Sequence, residues 1–116
     1  MIYKELPKEG IPVTQASDIR SSQDITLDAD VVVIGSGTGG AIIAHELAVA
    51  GKSVIILEAG RYVPSSEFTE DMAWALENLY QDVGVQTNTI GDTIVIQGSC
   101  VGGSSVVSST IATRAP

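Results

Sequence analysis

Cysteine, histidine, tryptophan and phenylalanine each occur once in these 116 residues. With Cys100 alone, no internal disulfide can form and no cysteine-rich metal site can be built, so no metal is expected. Basic residues are also scarce. Six Lys and Arg stand against fourteen Asp and Glu, a net charge of −8. No run of Lys and Arg occurs, which argues against nucleic acid or an anionic membrane as the main partner. Long apolar runs are missing too: nothing approaches the roughly 20 residues a membrane span needs. The opening residues pass from Met1 through Lys4 and Glu5 to Pro7 without an apolar stretch, unlike a signal peptide. A cytoplasmic location is the default expectation.

Globular content is ample. Apolar residues make up 44% and charged residues 17%, a balance that supports a packed core of about one domain. The segment that organises the rest is Val31, Val32, Val33 and Ile34, followed by Gly35, Ser36, Gly37, Thr38, Gly39 and Gly40. Four β-branched residues in a row suit a parallel strand buried on both faces. Gly35, Gly37 and Gly40 fill the fixed positions of G-x-G-x-x-G, where glycines permit the turn, the approach of a pyrophosphate and close helix–strand packing. The next helix, from about Gly39 to Ala50, offers its free first amides to that turn. Ala41, Ile42, Ala44, Leu47, Ala48 and Val49 are its expected packing residues, and Gly51 its terminator. His45 is expected on its exposed face and is not assigned a catalytic role.

A second apolar strand, Ser53 to Leu57, ends at Glu58, which lies 18 residues beyond Gly40. That is close to the roughly 20 expected for an acid that accepts hydrogen bonds from the hydroxyls of an adenosine ribose. Strand before, helix after and acid beyond supply the context that makes the glycine motif informative.

Elsewhere the chain is less explicit. Residues 1–29 read as an amino-terminal arm, with Ile25 and Leu27 forming a short edge strand. Pro64, Ser65 and Ser66 offer a helix start, with Glu67, Glu70 and Asp71 as a solvated acidic flank near its first turn. Met72, Leu76, Leu79 and Val83 then share one helical face. Trp74 and Tyr80 lie off that stripe and are expected to pack rather than hold a ligand. Residues 85–97 read as a hairpin turning at Gly91 and Asp92. A second glycine cluster follows, from Gly98 to Ser105. Its Gly102, Gly103, Ser104 and Ser105 could bring backbone amides near anionic oxygens.

With both loops in view, the sequence resembles the amino-terminal part of a glucose–methanol–choline (GMC) oxidoreductase, nearest the long-chain alcohol oxidase branch. Asp30 to Gly60, ending Leu57, Glu58, Ala59 and Gly60, resembles that family's FAD-binding start. Gly98 to Pro116 resembles its first long signature, and the closing Arg114, Ala115 and Pro116 resemble the Arg-x-Pro that often follows. The resemblance implies an α/β fold: a Rossmann-like FAD-binding βαβ core in an incomplete doubly wound sheet, with an added helix and β-hairpin. Residues 30–116 would be the amino-terminal part of the FAD-binding domain. Gly35, Ser36, Gly37, Thr38, Gly39 and Gly40 would hold the pyrophosphate, with Glu58 and Ala59 at the ribose. Val101, Gly102, Gly103, Ser104 and Ser105 would follow the pyrophosphate and ribityl chain, and Val106 to Ser109, with Val107 and Ser108, would approach the flavin.

Two positions depart from the pattern. Ser108 stands where the family usually has Asn or His. Val107 stands where a minority have a His bonded to FAD, so a non-covalent flavin is expected. The resemblance further implies oxidation of a small-molecule alcohol by hydride transfer to FAD. No catalytic residue is expected in this chain, because the family's catalytic His lies near the carboxyl end of a much longer protein. The remainder of the enzyme, or complementary subunits, would be the partner. Two other readings stay open from sequence: a non-catalytic nucleotide-binding or structural module, and a fragment of an NAD-linked dehydrogenase.

Overall fold

Val31–Ile34 forms β1 and Val54–Leu57 forms β2 in a computed structural model that describes residues 12–15, 17, 19 and 24–108. The two strands are parallel, with Val31 opposite Val54 and Ile34 opposite Leu57. Between them runs helix α1, Thr38–Val49. A strand, a helix and a parallel strand make one βαβ unit, the smallest Rossmann-like element. The helix ends where its sequence says it should. Gly51 takes φ +83°, its N–H donates to Ala48 O, and Lys52 N donates to Leu47 O, a Schellman closure.

The register is pinned at the strand entrances. Asp30 N donates to Ser53 Oγ, while Ser53 N and Oγ both donate to Asp30 Oδ2, each at 2.9 Å. Those hydrogen bonds, the Ser53 backbone first and its hydroxyl second, hold the Asp30 carboxyl below its ordinary value. A lowered native value means the contribution is full above the ordinary Asp range and disappears as pH falls through the native value. Ser53→Ala is therefore expected to lower the melting temperature at neutral pH, with the gap to wild type closing in acid. A gap that persisted once Asp30 is protonated would show that the carboxylate is not what anchors the strands.

The sheet is covered on one side only among the described residues. Val31 and Val33 are half-buried on the side of Ala44 and Leu47, whereas Val32 and Ile34 are 53% and 86% exposed. Burial on both faces was the expectation for β1, and it fails here because one βαβ unit supplies a helix to a single face. For the same reason only Ala44 and Leu47 of the expected packing residues of α1 are withdrawn from solvent; Ala41, Ile42, Ala48 and Val49 stay exposed. Ile25 and Leu27 form no strand. Residues 24–29 find no ladder partner among the described residues, and both side chains remain exposed.

Beyond β2 the chain differs from its sequence pattern in three places. Pro64 introduces only a single 3-10 turn, Ser65–Glu67. The helix proper, α2, is Met72–Leu79, and it starts at Asp71, whose carboxylate accepts from Ala73 N and Trp74 N. A carboxylate at the N-cap satisfies amides that proline and the two serines do not reach. Second, the expected stripe holds only at Leu76 and Leu79. Met72 is exposed and Val83 lies beyond the helix, while Trp74, Ala75 and Tyr80 pack against a small core of Val63, Leu79 and Cys100. Trp74 and Tyr80 are packing residues, as their sequence context suggested.

The chain leaves α2 through a left-handed turn at Asp82 and Val83, with φ of 47° and 49°. For non-glycine residues that conformation costs about 1–2 kcal/mol each. Third, the hairpin is short: β3, Gln86–Thr87, pairs antiparallel with β4, Ile94–Val95. Its turn is not centred on Gly91 and Asp92. Asn88 O accepts from Gly91 N, and Asn88 Oδ1 accepts from Gly91 N, Asp92 N and Thr93 N, so the bend falls on Thr89 and Ile90. An asparagine that caps three amides outcompetes the two-residue turn. No helix among the described residues is long and apolar enough to cross a membrane.

Candidate functional site

The carboxyl ends of β1 and β2 lie side by side, and Gly35 N donates to Leu57 O at 2.7 Å. The glycine turn after β1 is thereby fixed against the approach to Glu58. Gly37 is the N-cap of α1, with no side chain to close the helix end and no acid in the first turn. Its leading amides and the helix dipole together favour an anion there.

The second glycine loop is held against the exit of α2 by two backbone contacts. Ser99 N donates to Leu79 O and Gln81 N to Gln97 O, both at 2.8 Å. On the other side, Val101 N donates to Arg61 O at 3.1 Å. Residues 97–101 thus run between the exit of α2 and the segment after Glu58. The fit is tight: a Cβ on Gly60 would lie 2.3 Å from Cys100 N, and one on Gly103 would lie 3.1 Å from Gly37 Cα. Bare backbone faces bare backbone, leaving a cleft of about 360 Å³.

That cleft collects many of the expected residues. Gly35, Gly37, Thr38 and Glu58 line it from the first half, and Gly103, Ser104 and Ser105 from the second. Gln97 and Gly98 line it too, although sequence reasoning had not placed them at the site. Their signal was weak: Gly98 opens the glycine cluster ahead of its Gly102 to Ser105 core, and nothing marks Gln97 as other than a strand end.

Other expected residues stand back from the cleft. Gly40 packs under Gly35. Gly39, Ala59 and Val101 are exposed outside the cleft lining. Gly102 sits behind it, its N–H donating to Ser36 Oγ. Val107 packs against the Val63, Leu79 and Cys100 core, and Ser108 turns its hydroxyl to Ser105 O. Ser109 and the stretch Arg114 to Pro116 lie outside the described residues. His45 is exposed on α1, beside Glu46 and not in the cleft lining.

Glu58 is the centre of the polar network. Its Oε2 accepts from Ser36 N and Ser36 Oγ, each at 2.7 Å, and its Oε1 accepts from Gly60 N at 2.9 Å. Burial pushes the carboxyl up, but the hydrogen bonds from Ser36, Gly60 and Ala59 outweigh it and leave the group below its ordinary value. It is a fixed anion that keeps unused acceptor capacity. Cys100 behaves oppositely. It is 2% exposed, and burial, with the Glu58 charge adding, raises its thiol above the ordinary value. Since the thiolate is the reactive form, Cys100 should resist an aromatic disulfide reagent in the native protein and react at once after denaturation. Rapid native reaction would mean that the loop at residues 98–103 is not held as described.

The cradle therefore suits a polyanion bearing a diol: amides and a helix end for phosphate, two glycine walls that admit it closely, and a charged acceptor beside them. Residues 30–95 match the family model of the FAD binding domain. A long-chain-alcohol oxidase of Arabidopsis thaliana is 37% identical over 92 residues, which cover 79% of this chain and 12% of that protein. An uncharacterized GMC-type oxidoreductase of Sinorhizobium fredii is 41% identical over 96 residues, covering 81% of this chain and 19% of the relative. The fructose dehydrogenase large subunit of Gluconobacter japonicus is 46% identical over 46 residues, covering 40% of this chain and 8% of the subunit. The chain thus spans less than a fifth of the length of these relatives.

Proposed function

Because this chain belongs to the FAD binding domain family, we propose that it forms the adenosine and pyrophosphate end of the FAD site in a larger oxidoreductase acting on an alcohol CH–OH group. One observation carries the reading. Two glycine loops, far apart in sequence, meet at the carboxyl ends of parallel strands with an ionised acid between them. An NAD-linked fragment accounts for the first loop and gives the second no task.

In this assignment the amides from Gly37 to Gly40 face the pyrophosphate, and Glu58 accepts from the ribose. Gly103, Ser104 and Ser105 close over the phosphates from the opposite wall. Val107 offers no nucleophile for a covalent link, so the flavin is held by contacts alone. FAD, when bound, supplies the hydride acceptor. The base that removes the hydroxyl proton comes from the part of the enzyme beyond these residues, as does the substrate pocket. Exposed Val32, Ile34 and Leu57 support such a larger assembly, since an apolar sheet face is ordinarily covered. The long-chain-alcohol oxidases among the relatives favour an alcohol substrate, and the fructose dehydrogenase subunit favours a sugar hydroxyl as its alternative.

The test is to purify the complete enzyme that carries this chain and add candidate alcohols without oxygen. A yellow protein whose flavin absorption bleaches on addition supports the reading. A colourless protein that takes up no FAD overturns it. A 116-residue product that is soluble, monomeric and sharply melting on its own would favour a non-catalytic module instead.

A further inference from the structure

Ser36 occupies a variable position of the glycine motif, yet it is 6% exposed and its side chain touches both halves of the site. Its hydroxyl donates to Glu58 Oε2 at 2.7 Å and accepts from Gly102 N at 2.9 Å. Its own N–H donates to the same Oε2 at 2.7 Å. We propose that Ser36 is a positioning residue whose buried hydroxyl locks the Glu58 carboxylate to the second glycine loop, so that one oxygen sets both walls of the FAD cleft. The proposal rests on the FAD reading and goes beyond it in assigning Ser36 to the acid rather than to the phosphates.

The donor and acceptor inventory supports this assignment. A hydroxyl has one proton to give, and here it goes to Glu58; one of its two lone pairs takes Gly102 N–H. Oε2 then holds two short hydrogen bonds, its ordinary capacity, whereas Oε1 holds one, from Gly60 N–H at 2.9 Å, with the Ala59 N–H a weaker contact to the carboxylate. Oε1 is therefore the oxygen with room for a ribose hydroxyl, and Ser36 is what makes the two oxygens unequal. The Ser36 N–H is likewise spent on Glu58, which leaves the amides from Gly37 onward for the pyrophosphate. Alanine at position 36 would leave Oε2 with the backbone N–H alone, loosening the carboxylate, and leave Gly102 N–H without its acceptor.

The experiment is a double-mutant cycle in the complete flavoenzyme, read as the FAD dissociation constant after flavin removal and titration. Ser36→Ala is expected to weaken FAD about tenfold in the wild-type background and about threefold or less alongside Glu58→Ala. Ser36→Thr, which keeps the hydroxyl, should recover most of the loss. Unchanged affinity in Ser36→Ala overturns the proposal, and so does an equal loss in both backgrounds, because the hydroxyl would then not act through Glu58. If Ser36→Ala does not fold, Ser36→Cys takes its place in the cycle, its thiol matching the shape with far weaker hydrogen bonding. Loss of FAD in Glu58→Ala with none in Ser36→Ala removes this inference and leaves the FAD assignment standing. A wild type that binds no FAD removes both.

Discussion

Gly40→Ala should strip the enzyme of FAD and destabilise this domain by about 3 kcal/mol or more, the upper end of what overpacking costs. A Cβ at position 40 would lie 2.0 Å from Gly35 O, 3.1 Å from Gly35 C and 3.3 Å from Val33 Cγ1. The nearest of these is backbone that cannot move aside. Gly35 N is bonded to Leu57 O, so displacing the turn breaks the junction between the strands as well. The expected outcome is a colourless, low-melting enzyme, seen together in its flavin absorption and its thermal melt. An FAD-loaded variant melting like wild type would show that α1 does not press on the turn as described.

Glu58→Ala should raise the FAD dissociation constant about a hundredfold, the loss expected when one or two charge-assisted hydrogen bonds disappear. The change also leaves Ser36 N–H, its hydroxyl and Gly60 N–H without their shared acceptor. The acid dependence has a definite sign. Burial raises the Glu58 carboxyl, but the hydrogen bonds from Ser36, Gly60 and Ala59 prevail and hold it below its ordinary value. Its stabilising charge is thus fully present above the ordinary carboxylate range and is lost only as pH falls through the lower native value. Wild type should therefore hold FAD better than Glu58→Gln at neutral and mildly acidic pH, with the two converging in stronger acid. Flavin release measured across that range checks the claim, and equal retention of FAD by both at neutral pH would refute it.

The features legible in sequence are those made by contiguous residues. Val31 to Ile34 followed by three spaced glycines could hardly be anything but a strand, a turn and a helix, and Gly51 ended that helix where expected. Counting along the chain points to Glu58 at the end of β2, where it lies beside the glycine turn. What misled was information that depends on distant neighbours. Met72 and Val83 share their spacing with Leu79, but the core at Val63, Leu79 and Cys100 takes Trp74 and Ala75 in their place. Asn88 looked like an ordinary strand residue, although its carbonyl and amide oxygens define the hairpin bend. The role of Ser36 was also hidden. A serine between two glycines carries no periodic or spacing signal, and its partners lie 22 and 66 residues away.

That 66-residue separation bears on how the site comes into being. Closing so long a loop has an entropic cost before any contact rewards it, so the hydrogen bond from Gly102 to Ser36 belongs to a late stage of folding. The first wall can form as soon as β1, α1 and β2 have been synthesised; the second must wait for α2 and the hairpin. A cofactor in contact with both would then act as a strap, stabilising the assembled state by an amount that grows with the logarithm of its free concentration over its dissociation constant. Flavin-free enzyme should be nicked first by proteases between residues 97 and 105, while the βαβ unit beneath stays whole.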